Sequence, residues 1–196
     1  MHDTTKLTRR RVAKALALLP LGTVPPAHAA SRSDRAAARI LAHLDLATCI
    51  VEGRGPRRLV VFFDPNCPYC HRLYQALRPL VGRNGLSVCW IVLGMLTASS
   101  LPKAAAMLQA ADPLRALHRN EDDYDFAANG QPGGGIAPAR SIAPGTRDRL
   151  QRNLILYHSA QLVGVPVMVW RDAHGAHLSV GVPSASDLRA IVASVR

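Results

Sequence analysis

An apolar run that leads directly into a Cys-x-x-Cys pair constrains the fold of this chain more than any other feature. Residues 59–63 are five consecutive apolar residues followed by Asp-Pro, which indicates a strand covered on both faces in a parallel sheet. Apolar residues then recur at helical spacing after the pair, at Leu73, Leu77, Leu80 and Val81. Pro68 occupies the first turn of this predicted helix, where proline is tolerated, and Gly82 supplies a stop.

Cys67 therefore lies at the N-terminus of the predicted helix. Unpaired backbone N–H groups and the helix dipole favour an anion there, so we expect the pKa of the Cys67 thiol to fall below about 8.5. A thiolate of low pKa can attack a substrate disulfide, and Cys70, three residues further on, can then release it. The stretch predicts a redox-active dithiol.

The first 29 residues have the three parts of an export signal. A basic start precedes an apolar stretch at residues 12–24, and Ala27-His28-Ala29 comes before a predicted cleavage site. The apolar stretch is too short to span a membrane. Residues 8–14 resemble the twin-arginine signal, and the general secretory route remains the alternative. Export to an oxidising compartment favours a dithiol catalyst over a zinc site.

The net charge of +11 does not indicate a nucleic-acid partner. Residues 1–29 account for +4 of it, and the remaining arginines are scattered along the chain. A local group flanks one predicted helix start without interleaved aromatic residues, and its members are Arg140, Arg147, Arg149 and Arg152. We therefore expect a solvated basic surface with no nucleic-acid binding.

The rest of the chain predicts one domain of ordinary size. Residues 30–46 form a lead-in helix with Ser33 as its cap, and residues 47–196 form the domain itself. Strand, Cys-x-x-Cys helix and strand in this order give a right-handed parallel crossover. The flanking strands are predicted at residues 48–51 and 87–93.

A helical insertion is predicted at about residues 100–163, because strand patterning disappears there and helix caps multiply. Its helices are expected at residues 102–110, at residues 113–118 and from a Thr146 cap onward. Residues 121–135 are rich in acids and glycine, which predicts an exposed, flexible tract. Its three consecutive glycines follow no strand, so a plain loop is favoured over a phosphate-binding loop.

The chain ends in a predicted strand, hairpin and helix. Val165-Pro166 opens the strand, where a proline that cannot donate to the ladder is tolerated and a cis peptide is one solution. A turn at residues 171–175 leads to the second strand, and Ser184 with Asp187 caps the last helix.

This order of elements resembles the thioredoxin fold, an α/β arrangement in which helices flank a central mixed sheet. Three segments resemble the bacterial periplasmic DsbC/DsbG disulfide isomerases more closely, and the similarity covers about residues 47–196. They are residues 63–70, residues 103–106 with Asp112-Pro113 after them, and residues 164–166. The resemblance implies a periplasmic thiol-disulfide oxidoreductase with an inserted helical segment.

The resemblance also implies roles for single residues. Cys67 would be the attacking thiolate, Cys70 the resolving thiol, and Pro68 and Tyr69 would set the redox balance. His71 can tune the Cys67 thiolate electrostatically, although a histidine on the helix surface is the plainer interpretation.

Pro166 would be a cis-proline lying against the dithiol, where Val165 and the neighbouring backbone hold an extended substrate peptide. The implied partners are extracytoplasmic cysteine-containing proteins and a membrane or soluble redox partner that recycles the dithiol, with no metal or organic cofactor.

The sequence departs from this family at two points. About seventeen residues separate the predicted cleavage site from the first strand, where the isomerases carry a dimerisation domain, which favours a monomer. Val61 stands six residues before Cys67, where thioredoxins keep a buried acid for proton transfer. Proton movement here must therefore use other groups or water.

Cys49 and Cys89 are the remaining cysteines. Their strands would be neighbours in a thioredoxin-like sheet, so a structural disulfide is one possibility. Adjacent strand partners rarely meet the geometry of the bond, so two buried thiols are the favoured expectation. A tetrathiolate zinc site would need a second close cysteine pair, which the sequence lacks.

Two rival functions remain open on the sequence. Cys67-Pro68-Tyr69-Cys70-His71 also satisfies the Cys-x-x-Cys-His pattern of covalent haem attachment, with His71 as axial ligand. Small cytochromes are mostly helical, whereas this motif follows a buried strand. The second rival is a chaperone or binding module that keeps the fold without catalysis.

Overall fold

A computed structural model of the chain describes residues 31–127 and 130–196. The predicted export signal at residues 1–29 lies outside the described residues and stays a prediction. Within the described ranges, no helix combines the length and the apolar character needed to cross a membrane.

A five-stranded mixed sheet forms the centre of the described chain. Its strands are β1 (Ile50–Glu52), β2 (Arg57–Phe63), β3 (Leu86–Val92), β4 (Val167–Arg171) and β5 (Ala176–Val180). Their spatial order is β1-β3-β2-β4-β5. The β2–β3 pair is parallel and the other three pairs are antiparallel. The predicted mixed sheet and parallel crossover are confirmed.

Six α-helices surround this sheet in the described residues. They are α1 (Arg32–Ala42), α2 (Pro68–Leu77), α3 (Ser100–Gln109), α4 (Pro113–Asp122), α5 (Pro144–Ser159) and α6 (Ala185–Ser194). Three of them, α3 to α5, lie between β3 and β4 in the chain, where the sequence predicts the helical insertion. The molecule thus has the predicted α/β architecture.

Strand β2 is buried on both faces. Leu59, Val61 and Phe63 belong to one core cluster, which side chains from α2, α3, α4 and α6 complete. Val60 and Phe62 point to the opposite cluster, where residues of α1 and α5 pack. Because side chains alternate along a strand, this division explains why the sequence shows an unbroken apolar run instead of alternation.

Two helix caps differ from the sequence prediction. Helix α1 is capped by Ser31 instead of Ser33, because Ser31 and Asp34 form a reciprocal capping box in which each side chain accepts the other's backbone N–H. Helix α5 begins at Pro144 instead of at a Thr146 cap. A proline in the first helical position has its φ already set for the helix and needs no N–H partner.

Cys49 and Cys89 form a disulfide, so the expectation of two buried thiols is wrong. The two residues come from neighbouring segments, but they are not directly opposed. Cys89 pairs with Val51 across the β1–β3 ladder, whereas Cys49 lies just before β1 begins. Their Cα atoms are 5.1 Å apart, which is within the usual range for a disulfide.

Candidate active site

Cys67 is the N-cap of α2, and Pro68 begins the helix behind it. The backbone N–H of Cys70 donates to Cys67 Sγ at 3.3 Å. The sulfur therefore occupies the position in which a capping serine or aspartate oxygen satisfies an orphan helix donor. Both cysteines are free thiols whose sulfurs point into the molecule, and Cys67 is 3% exposed and Cys70 2% exposed.

The surroundings of the two thiols separate their acidities. The interaction with the Cys70 thiol lowers the pKa of Cys67 most, and the backbone N–H groups of Cys70 and Tyr69 add to this effect against the opposing effect of burial. Burial raises the pKa of Cys70 well above its ordinary value, and its interaction with Cys67 raises it further. Cys67 is therefore the more acidic thiol of the pair, and Cys70 holds its proton more strongly.

The segment before β4 lies against Cys67. The peptide bond between Val165 and Pro166 is cis, and the Cys67 thiol donates to the Val165 carbonyl oxygen at 3.5 Å. Tyr69, between the two cysteines, is exposed, and the Arg72 guanidinium lies 5.4 Å from its ring centre. The sulfurs thus face inward, while Tyr69 between them faces solvent and Pro68 is half-buried.

Asp64, at the end of β2, fixes the loop that carries Cys67. Its side chain is fully buried and accepts four hydrogen bonds from other parts of the chain. The donors are the N–H groups of Asn66 (3.0 Å), Met95 (2.6 Å) and Leu96 (3.1 Å) and the Ser100 hydroxyl (2.7 Å). Because every one of these donors comes from the dithiol loop or from the segment after β3, the carboxylate joins the two loops at the end of the sheet.

Asn66 extends this polar network to the insertion. Its amide nitrogen donates to the hydroxyls of Thr97 and Ser99 at 2.7 and 2.8 Å. Its amide oxygen accepts from Lys103 Nζ at 2.9 Å, and the same ammonium donates to the Gly134 carbonyl at 2.6 Å. The dithiol loop is therefore held by side chains of the insertion.

The glycine tract also contacts the dithiol loop. The N–H of Gly134 donates to the Pro65 carbonyl at 3.1 Å, and Asn120 Nδ2 donates to the same oxygen at 3.0 Å. A Cβ atom on Gly134 would overlap the Asn120 side chain. The expectation of an exposed tract is wrong for Gly133 and Gly134, which are buried against the site.

His71 is buried, with 5% exposure, so its interpretation as a helix-surface histidine is wrong. Its ring stacks on Tyr124 with ring centres 4.5 Å apart, and Phe126 meets it edge-on at 5.4 Å. His71 Nδ1 faces Glu121 Oε2 at 3.4 Å. The insertion therefore folds over the outer side of the first turn of α2.

The structure brings together seven of the residues predicted for the site: Cys67, Cys70, Pro68, Tyr69, His71, Val165 and Pro166. Cys49 and Cys89 lie elsewhere, because Cys89 belongs to the core cluster on the opposite face of the sheet from the dithiol. Among the described residues, no cluster of three or more His, Cys, Asp or Glu side chains could hold a metal ion.

The sequence did not identify the polar residues that support the dithiol loop: Asp64, Asn66, Lys103, Asn120 and Glu121. Glu121 had a usable signal, because it follows the buried Leu117 by one helical turn and therefore shares its face of α4. The predicted helix ended at His118, which placed Glu121 in a loop. The contacts of Asp64 join segments about thirty residues apart, and no local pattern reports them.

The chain matches the family model for a thioredoxin-like domain over residues 44–196. Among curated proteins, it is 30% identical over 134 residues to a thiol:disulfide interchange protein DsbG of Pseudomonas aeruginosa, covering 67% of this chain and 50% of the relative. It is also 30% identical over 129 residues to a probable thiol:disulfide interchange protein DsbC of Bordetella avium, covering 66% of this chain and 40% of that relative. The chain thus spans half or less of the length of these two relatives.

Solved structures share the fold at lower identity. The thiol-disulfide exchange protein alpha-DsbA2 of Wolbachia pipientis superposes with a TM-score of 0.61 at 15% identity, covering 84% of this chain and 98% of that one. The catalytic domain of Proteus mirabilis ScsC gives a TM-score of 0.57 at 21% identity, covering 80% and 96%. Both comparisons support the fold that the strand order indicates.

Proposed function

The chain belongs to the thioredoxin-like domain family, and from that premise we propose that it is an exported thiol-disulfide oxidoreductase of the periplasm. Its substrates are cysteine-containing proteins outside the cytoplasm, and a separate redox partner recycles its dithiol. The observation that carries this proposal is the position of Cys67 Sγ at the N-terminus of α2, where it accepts the N–H of Cys70. The names of the curated relatives support the same reaction class.

The first step is attack by the Cys67 thiolate on a substrate disulfide. A bond forms between Cys67 Sγ and one substrate sulfur, the substrate S–S bond breaks, and the other substrate sulfur leaves as a thiolate. The helix N–H donors stabilise the thiolate before attack, which supports Cys67 as the nucleophile.

Cys70 completes the reaction. It loses its proton and attacks Cys67 Sγ, the Cys67–Cys70 bond forms, and the substrate leaves with a second thiolate. The dithiol is oxidised by two electrons and the substrate disulfide is reduced by two. Run in reverse, the same steps oxidise a substrate dithiol, and the redox potential of the pair together with its recycling partner sets the net direction.

The surface around Cys67 is suited to an extended peptide. Val165 and Pro166 place backbone groups against the sulfur, and we assign substrate binding to them. Apolar side chains near the site remain exposed, as is expected of a surface that receives unfolded or partly folded chains: Tyr69, Leu96 and Phe126. Pro68 and Tyr69 lie between the sulfurs and are assigned to tuning their redox balance.

The proposed organisation of the chain is an export signal at residues 1–29, a lead-in segment at residues 30–46 that contains α1, and a catalytic domain at residues 47–196. Side chains of α1 belong to one of the two core clusters, which supports a lead-in helix that packs on the domain. The reaction needs no metal, organic cofactor or nucleic acid.

The haem alternative loses support from the position of His71. An axial ligand must present a ring nitrogen to iron beside the porphyrin, whereas this ring is buried between Tyr124, Phe126 and Glu121. Both thiols point toward the core instead of toward a haem edge.

Replacement of the two reactive cysteines one at a time tests the proposal. We expect Cys67→Ala to lower insulin reduction to the uncatalysed rate. We expect Cys70→Ala to accumulate a mixed disulfide between Cys67 and substrate, because the resolving thiol is missing. The matched control is Cys49→Ala with Cys89→Ala, which removes the other cysteine pair and retains exchange. Unchanged rates in both single variants would reject catalysis and favour the binding module.

A further inference from the structure

A buried carboxylate and a buried imidazole face each other beside the dithiol, and the exchange steps above use neither. Glu121 and His71 are 2% and 5% exposed. Glu121 Oε2 and His71 Nδ1 lie 3.4 Å apart, and neither atom has a hydrogen-bond partner among the described residues. Burying ionisable atoms that are only loosely paired costs free energy, so the arrangement calls for a reason beyond packing.

The surrounding residues hold this pair in place and separate it from bulk solvent. Asn120 Nδ2 donates to Glu121 Oε1 at 3.0 Å, which leaves Oε2 as the free oxygen of the carboxylate. Tyr124 and Phe126 cover the His71 ring on its outer side. The free carboxylate oxygen therefore lies in a closed space beside the first turn of α2, the turn that carries Cys70 and His71.

Cys70 needs a proton acceptor inside this closed space. The thiol is 2% exposed, and Val61, at the position where thioredoxins keep a buried acid, is apolar and fully buried. Asp64 is close by, but its carboxylate already accepts four hydrogen bonds. Glu121 Oε2 lies 3.4 Å from the ring of His71, the residue that follows Cys70 in α2. Burial is the main cause of the raised pKa of Cys70, and the negative charge of Glu121 adds to it.

We propose that Glu121 is the proton acceptor for Cys70, and that His71 is a positioning residue that holds the free carboxylate oxygen toward the dithiol. This assignment rests on the proposed function. In the resolving step the Cys70 S–H proton passes to the Glu121 carboxylate directly or through one water. The Cys70 thiolate then attacks Cys67 Sγ, the S–S bond to substrate breaks, and the substrate sulfur leaves as a thiolate. When the dithiol is regenerated, the Glu121 carboxyl returns the proton to Cys70.

Other ionisable groups face this space without a free basic atom. From α4, Asp122 accepts the Tyr74 hydroxyl at 2.8 Å. From the loop after α4, the Tyr124 hydroxyl donates to the Asn66 carbonyl at 2.8 Å, and burial raises its pKa. From α2, Cys67 is the other thiol of the reaction. Among the described residues, the Glu121 carboxylate and the His71 ring are the basic groups that remain, and His71 Nδ1 faces Glu121 Oε2, so the carboxylate is assigned as the acceptor.

The pH dependence follows from the burial of the two groups. Burial raises the pKa of Glu121, and it raises that of Cys70 further above its ordinary value. With Glu121 present, the attack of Cys70 on the mixed disulfide proceeds once the Glu121 carboxylate is ionised. Without it, the Cys70 proton must leave to water or hydroxide, so the rate rises with pH throughout the accessible range.

The test compares wild type with Glu121→Gln, which keeps the size and polarity of the side chain, and uses oxidised glutathione as the disulfide. The full chain is mixed with this probe, quenched in acid and resolved by mass spectrometry into dithiol, mixed disulfide and internal disulfide. We expect the conversion of mixed to internal disulfide to be about 100-fold slower in the variant near pH 6, a loss typical of a missing general base. The difference should shrink toward about pH 9.

Asp122→Asn is the matched control, because it removes the same charge from the neighbouring position of α4. We expect it to resolve the mixed disulfide at nearly the wild-type rate. Formation of the mixed disulfide reports attack by Cys67, and we expect it to change little in both variants. Equal resolution rates in wild type and Glu121→Gln would overturn the assignment, as would equal losses in Glu121→Gln and Asp122→Asn.

A second measurement uses only the wild-type protein and so does not depend on the folding of a variant. The infrared difference spectrum between the reduced and oxidised protein should contain a carboxyl band whose intensity changes with pH. A difference spectrum without a carboxyl change would also overturn the assignment. If wild type forms no mixed disulfide at all, the proposed function itself fails, which is a separate and recognisable result.

Discussion

The two cysteine pairs of this molecule lie on opposite faces of one sheet and are in opposite chemical states. Cys67 and Cys70 are free thiols at a helix N-terminus, three residues apart. Cys49 and Cys89 are bonded to each other from positions 40 residues apart, one just before β1 and one within β3. A sulfur at the helix terminus is surrounded by N–H donors that stabilise a thiolate, whereas strand backbone N–H groups are already used in the ladder.

This difference indicates that the local backbone decides what a cysteine pair does. At the helix start, hydrogen bonds lower the pKa of Cys67 while burial raises the pKa of Cys70. The two thiols therefore differ in acidity, as thiol-disulfide exchange requires. The strand pair closes a long loop that contains β2 and α2, which constrains the unfolded chain. One pair is thus suited to chemistry and the other to stability.

Removing the strand pair should give the largest effect on stability. For Cys49→Ala with Cys89→Ala, we expect the free energy of unfolding to fall by about 4 kcal/mol, because a loop of this length is no longer closed in the unfolded state. Urea denaturation followed by circular dichroism measures the change. Cys67→Ala with Cys70→Ala is the comparison and should lower the free energy of unfolding by about 1 kcal/mol, the usual cost of a lost helix cap. A similar loss in both double variants would contradict the division between the pairs.

The dithiol loop depends on polar contacts where the strand pair has a covalent bond. We expect Asp64→Asn to lower the free energy of unfolding by about 3 kcal/mol. The NH2 group of the amide is itself a donor, so it cannot accept from the N–H and O–H donors that face it, and buried polar groups are left unpaired. The control is Asp123→Asn, whose carboxylate is exposed and lies 4.0 Å from Arg119 Nε. Equal denaturation midpoints for wild type and Asp64→Asn would mean that the loop is held in another way.

The smallest effect concerns the acidity of the reactive thiol. Hydrogen-bond donors lower the pKa of Cys67, so its thiolate persists to a lower pH than that of an ordinary thiol, whose pKa is about 8.5. As the pH is lowered, the rate at which iodoacetamide alkylates Cys67 should therefore begin to fall only below the pH at which an ordinary thiol loses its reactivity. Cys70 should stay unmodified in the same range, since burial raises its pKa. Mass spectrometry of peptides after timed quenching distinguishes the two sites. Preferential alkylation of Cys70 would reverse the assigned order.

The sequence was sufficient for features that depend on neighbouring residues. The apolar run of residues 59–63 predicted a strand buried on both faces, and Pro68 predicted the start of α2. Both are confirmed, because periodicity and proline act within a few residues. The order of elements also led to the thioredoxin-like architecture.

Features that depend on distant contacts were not accessible in this way. The bond between Cys49 and Cys89 requires knowing where Cys49 stands relative to the β1–β3 register, and a strand pattern alone does not give that offset. His71 is buried because Tyr124 and Phe126 fold over it from the insertion. A helix pattern reports which residues share a face, and it does not report what covers that face.

The central position of β2 has a consequence for the order in which the molecule opens. Strand β2 hydrogen-bonds to β3 on one side and to β4 on the other, while β1 and β5 occupy the edges. Edge strands and exposed loops open in small fluctuations, whereas the amides of a central strand exchange with solvent hydrogen only in the largest openings. The dithiol follows this strand directly in the chain, so Cys67 is attached to the part of the domain that should exchange last.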